Sequence, residues 1–193
     1  MIWKNEYRDL VEKGLKEMSF SNNPDSLYRP LRYFFSLGGK RIRPILTLLS
    51  CNSFGGNFKK ALNAALSVET FHNFTLIHDD IMDSSSFRRG KETVHNKWGV
   101  NNAILSGDVM LILAYQLLDK YDPNVFLKLN KVLNKAAIEV CEGQQMDLDF
   151  ESDPNVSLND YMKMIRLKTA VLLGCALEMG AIVACTSEKN QKK

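Results

Sequence analysis

The sequence lacks the features that mark strands, repeats and disorder. It has five prolines among 193 residues, and no run of alternating apolar and polar residues lies between turn residues, so no strands are predicted. It has no internal repeat, and 45% of its residues are hydrophobic, which excludes collagen-like and disordered classes. The length is sufficient for one domain with its own core.

Long apolar runs are also absent. The most apolar stretch, 170–185, is interrupted by Glu178 and two glycines, so it predicts a buried helix and not a membrane span. The first ten residues, MIWKNEYRDL, have no signal-peptide pattern. We therefore predict a cytoplasmic protein without a transmembrane segment.

Cysteine is scarce, and none of the four thiols has Cys-x-x-Cys spacing. The absence of this spacing argues against a zinc site and against disulfides, and it favours reduced, mostly buried thiols. The four residues are Cys51, Cys141, Cys175 and Cys185.

The net charge is only +3, which argues against a dedicated nucleic-acid binder, but the charges are segregated. Residues 29–43 contain five basic side chains and no acid, whereas residues 136–162 contain seven acids and no Lys or Arg. Such blocks are typical of solvated faces. They also suit the two halves of a site for an anion and its metal, and both interpretations stay open at this point.

Helical periodicity dominates the rest of the chain. Because the predicted helices are long, they indicate a single large α-helical bundle. Their approximate ranges are 3–18, 25–37, 44–54, 58–83, 101–121, 123–150, 157–167 and 168–185.

The most informative local feature is the run LIHDDIMD at 76–83. On a helix, Asp79 and Asp83 lie about 40° apart and about 6 Å along one face, where like charges repel. They could simply end the helix, but acids at that end oppose the helix dipole. Mg²⁺ prefers such hard oxygen ligands together with substrate phosphates. We therefore predict a metal site at Asp79 and Asp83, with Asp80 in a supporting position.

Two histidines lie near this run. His72 falls about 20° from the face of Asp79 and about 10 Å away, so it is a candidate for the same site as well as for an ordinary packed histidine. His95 is predicted to be a loop or surface residue.

Two glycine-flanked basic clusters complement the aspartates. GGKRIRP at 38–44 and RRGK at 88–91 each place three cations beside flexible backbone, and guanidinium groups match phosphate oxygens. Either cluster alone is typical of solvated charge. Together with the acid pair they indicate a polyanionic substrate bridged by Mg²⁺. Neither fits the phosphate-loop pattern of nucleotide hydrolases.

One of two later polar segments is a candidate for the same site. Gln144 and Asp147 lie one turn apart on a predicted helix and can face the acid pair across the bundle. Lys168 and Thr169 open the last apolar helix, where a single lysine is usually a surface cation.

Together these motifs resemble the head-to-tail trans-prenyl diphosphate synthases, or polyprenyl synthetases, which include the farnesyl and geranylgeranyl diphosphate synthases. The matching segments occur in the family's order and spread over residues 28–182. They are GGKRIRP (38–44), DDIMD (79–83), RRG (88–90), GQQMDL (143–148) and KTA (168–170).

The resemblance implies an all-α fold with a deep central cavity, in a homodimer. It implies that Asp79 and Asp83 bind Mg²⁺ that bridges an allylic diphosphate, with Asp80 supporting. The allylic diphosphate would also be bound by Arg88, Lys168 and Thr169. Gln144 and Asp147 would lie beside it. The second diphosphate, that of isopentenyl diphosphate, would be bound by Lys40, Arg43, His72 and Arg89.

The implied activity is Mg²⁺-dependent condensation of isopentenyl diphosphate with dimethylallyl, geranyl or farnesyl diphosphate. In the family, the residues four and five positions before the aspartate motif help to set product length. Here they are Thr75 and Phe74, and one aromatic with one small residue implies a C15 or C20 product.

The chain departs from the family pattern in one respect. Members are longer and carry a second aspartate-rich motif in a Gln-x-x-Asp-Asp-x-x-Asp setting, which residues 1–193 do not contain. We therefore interpret the sequence as the N-terminal portion of a single polyprenyl synthetase domain. A non-catalytic member that regulates a catalytic partner is the alternative. A terpene cyclase is less favoured because there are two cation clusters.

Overall fold

The structure is a computed structural model that describes residues 2–185. It is built almost entirely of α-helices, which confirms the predicted all-α fold class. The helices are α1 (Ile2–Glu17), α2 (Asp25–Ser36), α3 (Ile42–Ser53), α4 (Leu62–Met82), α5 (Val94–Trp98), α6 (Val100–Gln116), α7 (Pro123–Phe150), α8 (Leu158–Ile165) and α9 (Val171–Val183).

Short polar side chains begin several of these helices. The Asp122 carboxylate accepts a hydrogen bond from Val125 N at 3.3 Å at the start of α7, and Pro123 occupies the first turn, where its missing N–H has no cost. Ser157 Oγ accepts from Asp160 N at 3.2 Å at the start of α8. These caps explain why both helix starts are visible in the sequence.

The prediction of no strands is wrong at one place. Strands β1 (Phe87–Arg88) and β2 (Lys91–Glu92) pair antiparallel and form a hairpin. Its turn residues, Arg89 and Gly90, have φ values of 53° and 75°, as a two-residue hairpin turn requires. Strands of two residues are too short to show an alternating pattern.

The predicted break between residues 167 and 168 is also corrected. A π-helical stretch, Arg166–Ala170, joins α8 directly to α9. It contains Lys168 and Thr169, and such stretches are frequent at functional sites.

Helix α4 is the centre of the bundle because it contributes to all three parts of the core. Phe71 packs with residues of α7 and α9, Leu66 packs with α1 and α3, and Ile77 packs with α2 and α6. A helix buried on several sides is positioned from several directions. It therefore holds its C-terminal aspartates in a fixed place.

The four cysteines are free, as expected, but only Cys51 and Cys175 are buried. Cys141 and Cys185 are exposed, so the prediction of mostly buried thiols is half wrong. Helical periodicity places Cys141 on a long helix but does not show which face of that helix is covered.

One helical stretch within residues 2–185, Val100–Lys120, is long and apolar enough to cross a membrane, with a mean hydropathy of 1.2. Length and composition are the only support for a span, and core helices of soluble proteins pass the same test. The stretch differs from 170–185, the most apolar segment of the sequence.

Candidate functional site

A cavity of about 350 Å³ lies between α4, α7 and the start of α9. Charged and polar side chains line one part of it, among them Asp79, Gln144 and Lys168. The remainder is mostly apolar and is lined by Phe74, Val140, Leu148, Leu172 and other side chains. Such a cavity suits a ligand with an anionic head and a hydrocarbon tail.

Lys168 joins two distant acidic motifs at this cavity. Its Nζ lies 3.2 Å from Asp79 Oδ1 and donates a hydrogen bond to Asp147 Oδ2 at 2.5 Å. Burial lowers the pKa of Lys168, but the two carboxylates outweigh this effect and raise it. The predicted approach of Asp147 to the acid pair is therefore observed, and Lys168 is a half-buried bridge between the two motifs and not a lone surface cation.

Arg88 binds the other side of the aspartate motif. Its Nη2 donates to Asp79 Oδ2 at 3.2 Å, and its Nε donates to both oxygens of Asp80 at 2.8 and 2.9 Å. Asp80 is only 1% exposed, and its burial raises its pKa although Arg88 opposes the shift. Asp80 thus orients Arg88, which agrees with its predicted supporting position.

Asp83 follows α4 and is exposed. Burial and then the charge of Asp79 raise its pKa, so the two carboxylates are close enough to repel. No three His, Cys, Asp or Glu side chains converge around a common point among residues 2–185. An ion held here would need further oxygen ligands.

A second cavity, of about 480 Å³, adjoins the first. Four cationic residues line it: Lys40, Arg41, Arg43 and Arg89. Arg43 and His72 line both cavities. The two basic clusters of the sequence therefore meet in one place, where an anion would be attracted from several directions.

Arg89 lies in the hairpin turn and lines the second cavity. The Arg89 guanidinium donates to Gly38 O and lies 6.0 Å from the centre of the Phe34 ring. Burial lowers the pKa of Arg89, and Arg41 lowers it further. Other cations surround this guanidinium, and among residues 2–185 no carboxylate forms an ion pair with it.

Sequence reasoning missed Arg41 and Glu69. Arg41 has a side chain 1% exposed, and its Nη1 donates to Glu69 Oε1 at 2.7 Å, while its Nε donates to Glu12 Oε1 at 2.9 Å. Arg41 is part of GGKRIRP and was counted only as one of its cations. An acid inside the apolar part of α4, Glu69, is the signal that points to a buried partner.

Two buried nitrogen atoms at the cavities have no hydrogen-bond partner: Arg43 Nε and Gln144 Nε2. Buried polar groups are rarely left unpaired. Since both are donors, they fit an anionic ligand at this site.

The structure brings together most of the predicted site residues. Phe74 and Thr75 line the first cavity, as does the exposed Thr169, and the exposed Lys40 lines the second. Asp83 lines neither cavity. His95, predicted to lie in a loop or on the surface, is instead a half-buried residue of α5, because Thr93 and Val94 anchor that short helix.

The fold and this pair of cavities define an isoprenoid synthase type of protein. Residues 24–193 match the family model described as polyprenyl synthetase. The chain belongs to the polyprenyl synthetase family.

Curated relatives agree with this assignment. The chain is 40% identical over 185 residues to a geranylgeranyl pyrophosphate synthase of Geoglobus acetivorans, covering 95% of this chain and 58% of the relative. It is 41% identical over 181 residues to a geranylgeranyl diphosphate synthase of Methanosarcina mazei, with 93% and 56% covered. The chain thus spans little more than half the length of these relatives.

A solved structure is also similar. The crystal structure of a geranylgeranyl pyrophosphate synthase superimposes with a TM-score of 0.96 at 54% identity, covering 98% of this chain and 58% of that one.

Proposed function

We propose that the protein is a prenyltransferase that condenses isopentenyl diphosphate with an allylic diphosphate, head to tail, to give a trans prenyl diphosphate. The observation that carries the proposal is the pair of cavities that share Arg43 and His72. Both are flanked by cations, but the first also extends along apolar side chains. The second cavity suits the short substrate, and the first suits a growing hydrocarbon tail.

The two diphosphates are assigned by these surroundings. Lys168 and Thr169, which line the first cavity, bind the allylic diphosphate, with Gln144 beside it. Arg88 and Asp147 line neither cavity. They join this site through their ion pairs with Asp79 and Lys168, and Arg88 binds the same diphosphate. In the second cavity, the diphosphate of isopentenyl diphosphate is bound by Lys40, Arg43, His72 and Arg89. Without substrate, Lys168 and Arg88 are paired with carboxylates, and a diphosphate would compete for them.

Asp79 and Asp83 are proposed to hold Mg²⁺. The donor set fits this ion, since carboxylate oxygens and substrate phosphates are its usual ligands, and Asp79 and Asp83 lie one turn apart at the end of α4. When bound, Mg²⁺ would neutralise negative charge on the diphosphate.

Residues of this chain contribute to the remaining chemistry. The C1–O bond of the allylic substrate breaks and its electron pair leaves with the diphosphate, whose charge Arg88 and Lys168 stabilise. The double bond of isopentenyl diphosphate then forms the new C–C bond, which leaves the positive charge on C3 of that substrate. The departed diphosphate accepts the proton lost from C2, and a new double bond forms between C2 and C3. Apolar walls keep water from the allylic cation.

We further propose a C20 product. The sequence favours C15 or C20 through Phe74 and Thr75, and the relatives at 40–41% identity are named geranylgeranyl synthases. Dimethylallyl, geranyl and farnesyl diphosphates would then all be allylic substrates.

A homodimer is part of the proposal. Leu105 and Ile112 lie two turns apart on one face of α6 and are 55% and 65% exposed. Contiguous exposed apolar groups favour association. Light scattering after gel filtration should give twice the chain mass, and Leu105→Glu should reduce it to the chain mass.

The central experiment incubates the protein expressed from its whole gene with isopentenyl diphosphate, each allylic diphosphate and MgCl₂. Chromatography of the products after dephosphorylation should show an alcohol of C20. Absence of any prenyl product with each of the three allylic diphosphates would overturn the proposal and favour a non-catalytic member of the family.

A further inference from the structure

Part of the apolar lining of the first cavity comes from α4. Phe74 lines it, five residues before Asp79. If the proposed function holds, a hydrocarbon tail whose diphosphate is bound at Asp79 and Lys168 extends toward this ring. The position of the Phe74 ring then limits the length of tail that fits.

His78 contacts Phe74 from the next turn of α4. The two ring centres are 4.7 Å apart with an interplanar angle of 65°, an edge-to-face arrangement that is favourable for aromatic pairs. His78 Nε2 also lies 3.2 Å from Ile104 O of α6, and since a carbonyl can only accept, the imidazole donates this bond. His78 therefore connects Phe74 to the backbone of α6.

Gly107 makes this connection possible. It is buried on α6, and a Cβ at residue 107 would lie 2.5 Å from His78 Cδ2 and closer still to Nε2. Any side chain there would force the imidazole away from α6. Because His78 itself lines the cavity, that movement would take the ring into the space for the tail.

We propose that Gly107 and His78 are positioning residues for Phe74 and that together they set the length of the prenyl product. Gly107 allows α6 to hold His78, and His78 holds the Phe74 ring at the end of the cavity. Neither residue contacts the charged groups that bind diphosphate, so both act on product length and not on the chemistry.

The test compares four variants of the protein expressed from its whole gene. His78→Ala removes the ring that supports Phe74 and should lengthen the main product by at least one isoprene unit. Gly107→Ala should shorten it by one unit. His78→Phe keeps a ring against Phe74 and should restore the wild-type length. Gly174→Ala is the matched control, because a Cβ there meets nothing within 4 Å, and should leave the products unchanged.

Product lengths are read by chromatography, and folding is checked by thermal unfolding. Opposite shifts in His78→Ala and Gly107→Ala support the proposal. Unchanged lengths in folded variants would overturn it while leaving the proposed function intact. If Gly107→Ala does not fold, the two His78 variants decide. His78→Ala must then give a longer product than His78→Phe, and equal lengths would overturn the proposal. A wild-type protein without prenyl product would overturn the proposed function and this inference together.

Discussion

Arg43 Nη1 lies 3.1 Å from His72 Nε2, and these two side chains border both cavities. Burial, followed by the charges of Arg43 and Arg89, lowers the pKa of His72 to about 3. The neutral imidazole therefore accepts the hydrogen bond from Arg43. This contact fixes the boundary between the two proposed substrate positions.

Stability should depend on pH through His72. The unfolded chain binds a proton here as the pH falls below 6.5, whereas the folded chain does not until about pH 3. The free energy of unfolding therefore decreases as the pH is lowered from 6.5 to about 3. His72→Gln, which can still accept from Arg43, should flatten this dependence in urea unfolding at pH 7, 5 and 4. Equal slopes for both proteins would contradict the assignment.

Loss of the Asp79 charge should stop turnover. Asp79→Asn keeps the size of the side chain but removes the anionic oxygen proposed for Mg²⁺, so kcat should fall by about 100-fold or more. Steady-state assays at increasing MgCl₂ concentrations measure this. Asp119→Asn, at an exposed acid away from the cavities, is the matched control and should retain the wild-type rate. A fully active Asp79→Asn protein would refute the metal role.

Gly143 is required by a close backbone approach. A Cβ at this residue of α7 would lie 2.7 Å from Leu167 C and Lys168 Cα, and backbone atoms cannot move independently. Gly143→Ala should therefore destabilise the protein by about 1–3 kcal/mol and weaken binding of the allylic diphosphate. Gly174→Ala should instead stabilise it by about 0.5–1 kcal/mol, because alanine favours a helix and meets no neighbour there. Urea unfolding of both variants tests the difference in sign.

The Arg41–Glu69 pair should behave as a coupled unit. Both side chains are almost fully buried, at 1% and 3% exposure. Removing the Arg41 charge therefore leaves the Glu69 carboxylate buried without this partner, whereas Arg41 keeps Glu12 if Glu69 is neutralised. Arg41→Met should cost about 3–5 kcal/mol, and the double variant with Glu69→Gln should cost less than the sum of the single changes. A double-mutant cycle by urea unfolding measures the coupling, and additive effects would show that the pair is not coupled.

Local signals in the sequence predicted most helices because they depend on neighbouring residues. The start of α7 at Pro123 and its end at Phe150 agree with the prediction, since a capping Asp and a first-turn Pro mark the start. The hairpin at Phe87–Glu92 was missed because its strands are too short for periodicity. The π-helical stretch was missed because hydrogen-bond register leaves no mark in apolar spacing.

The sequence by itself determined the helical class, the acid and cation motifs, and the candidates Asp79 and Asp147, because each follows from residue type and short-range spacing. Lys168 became a candidate only through the family resemblance. Only the tertiary structure decided that Lys168 bridges the two acids and that Arg43 and His72 separate two cavities. Only the structure showed that Gly107 admits His78 against α6. These relationships join residues far apart in the chain, and the packing of α4 against its neighbours brings them together.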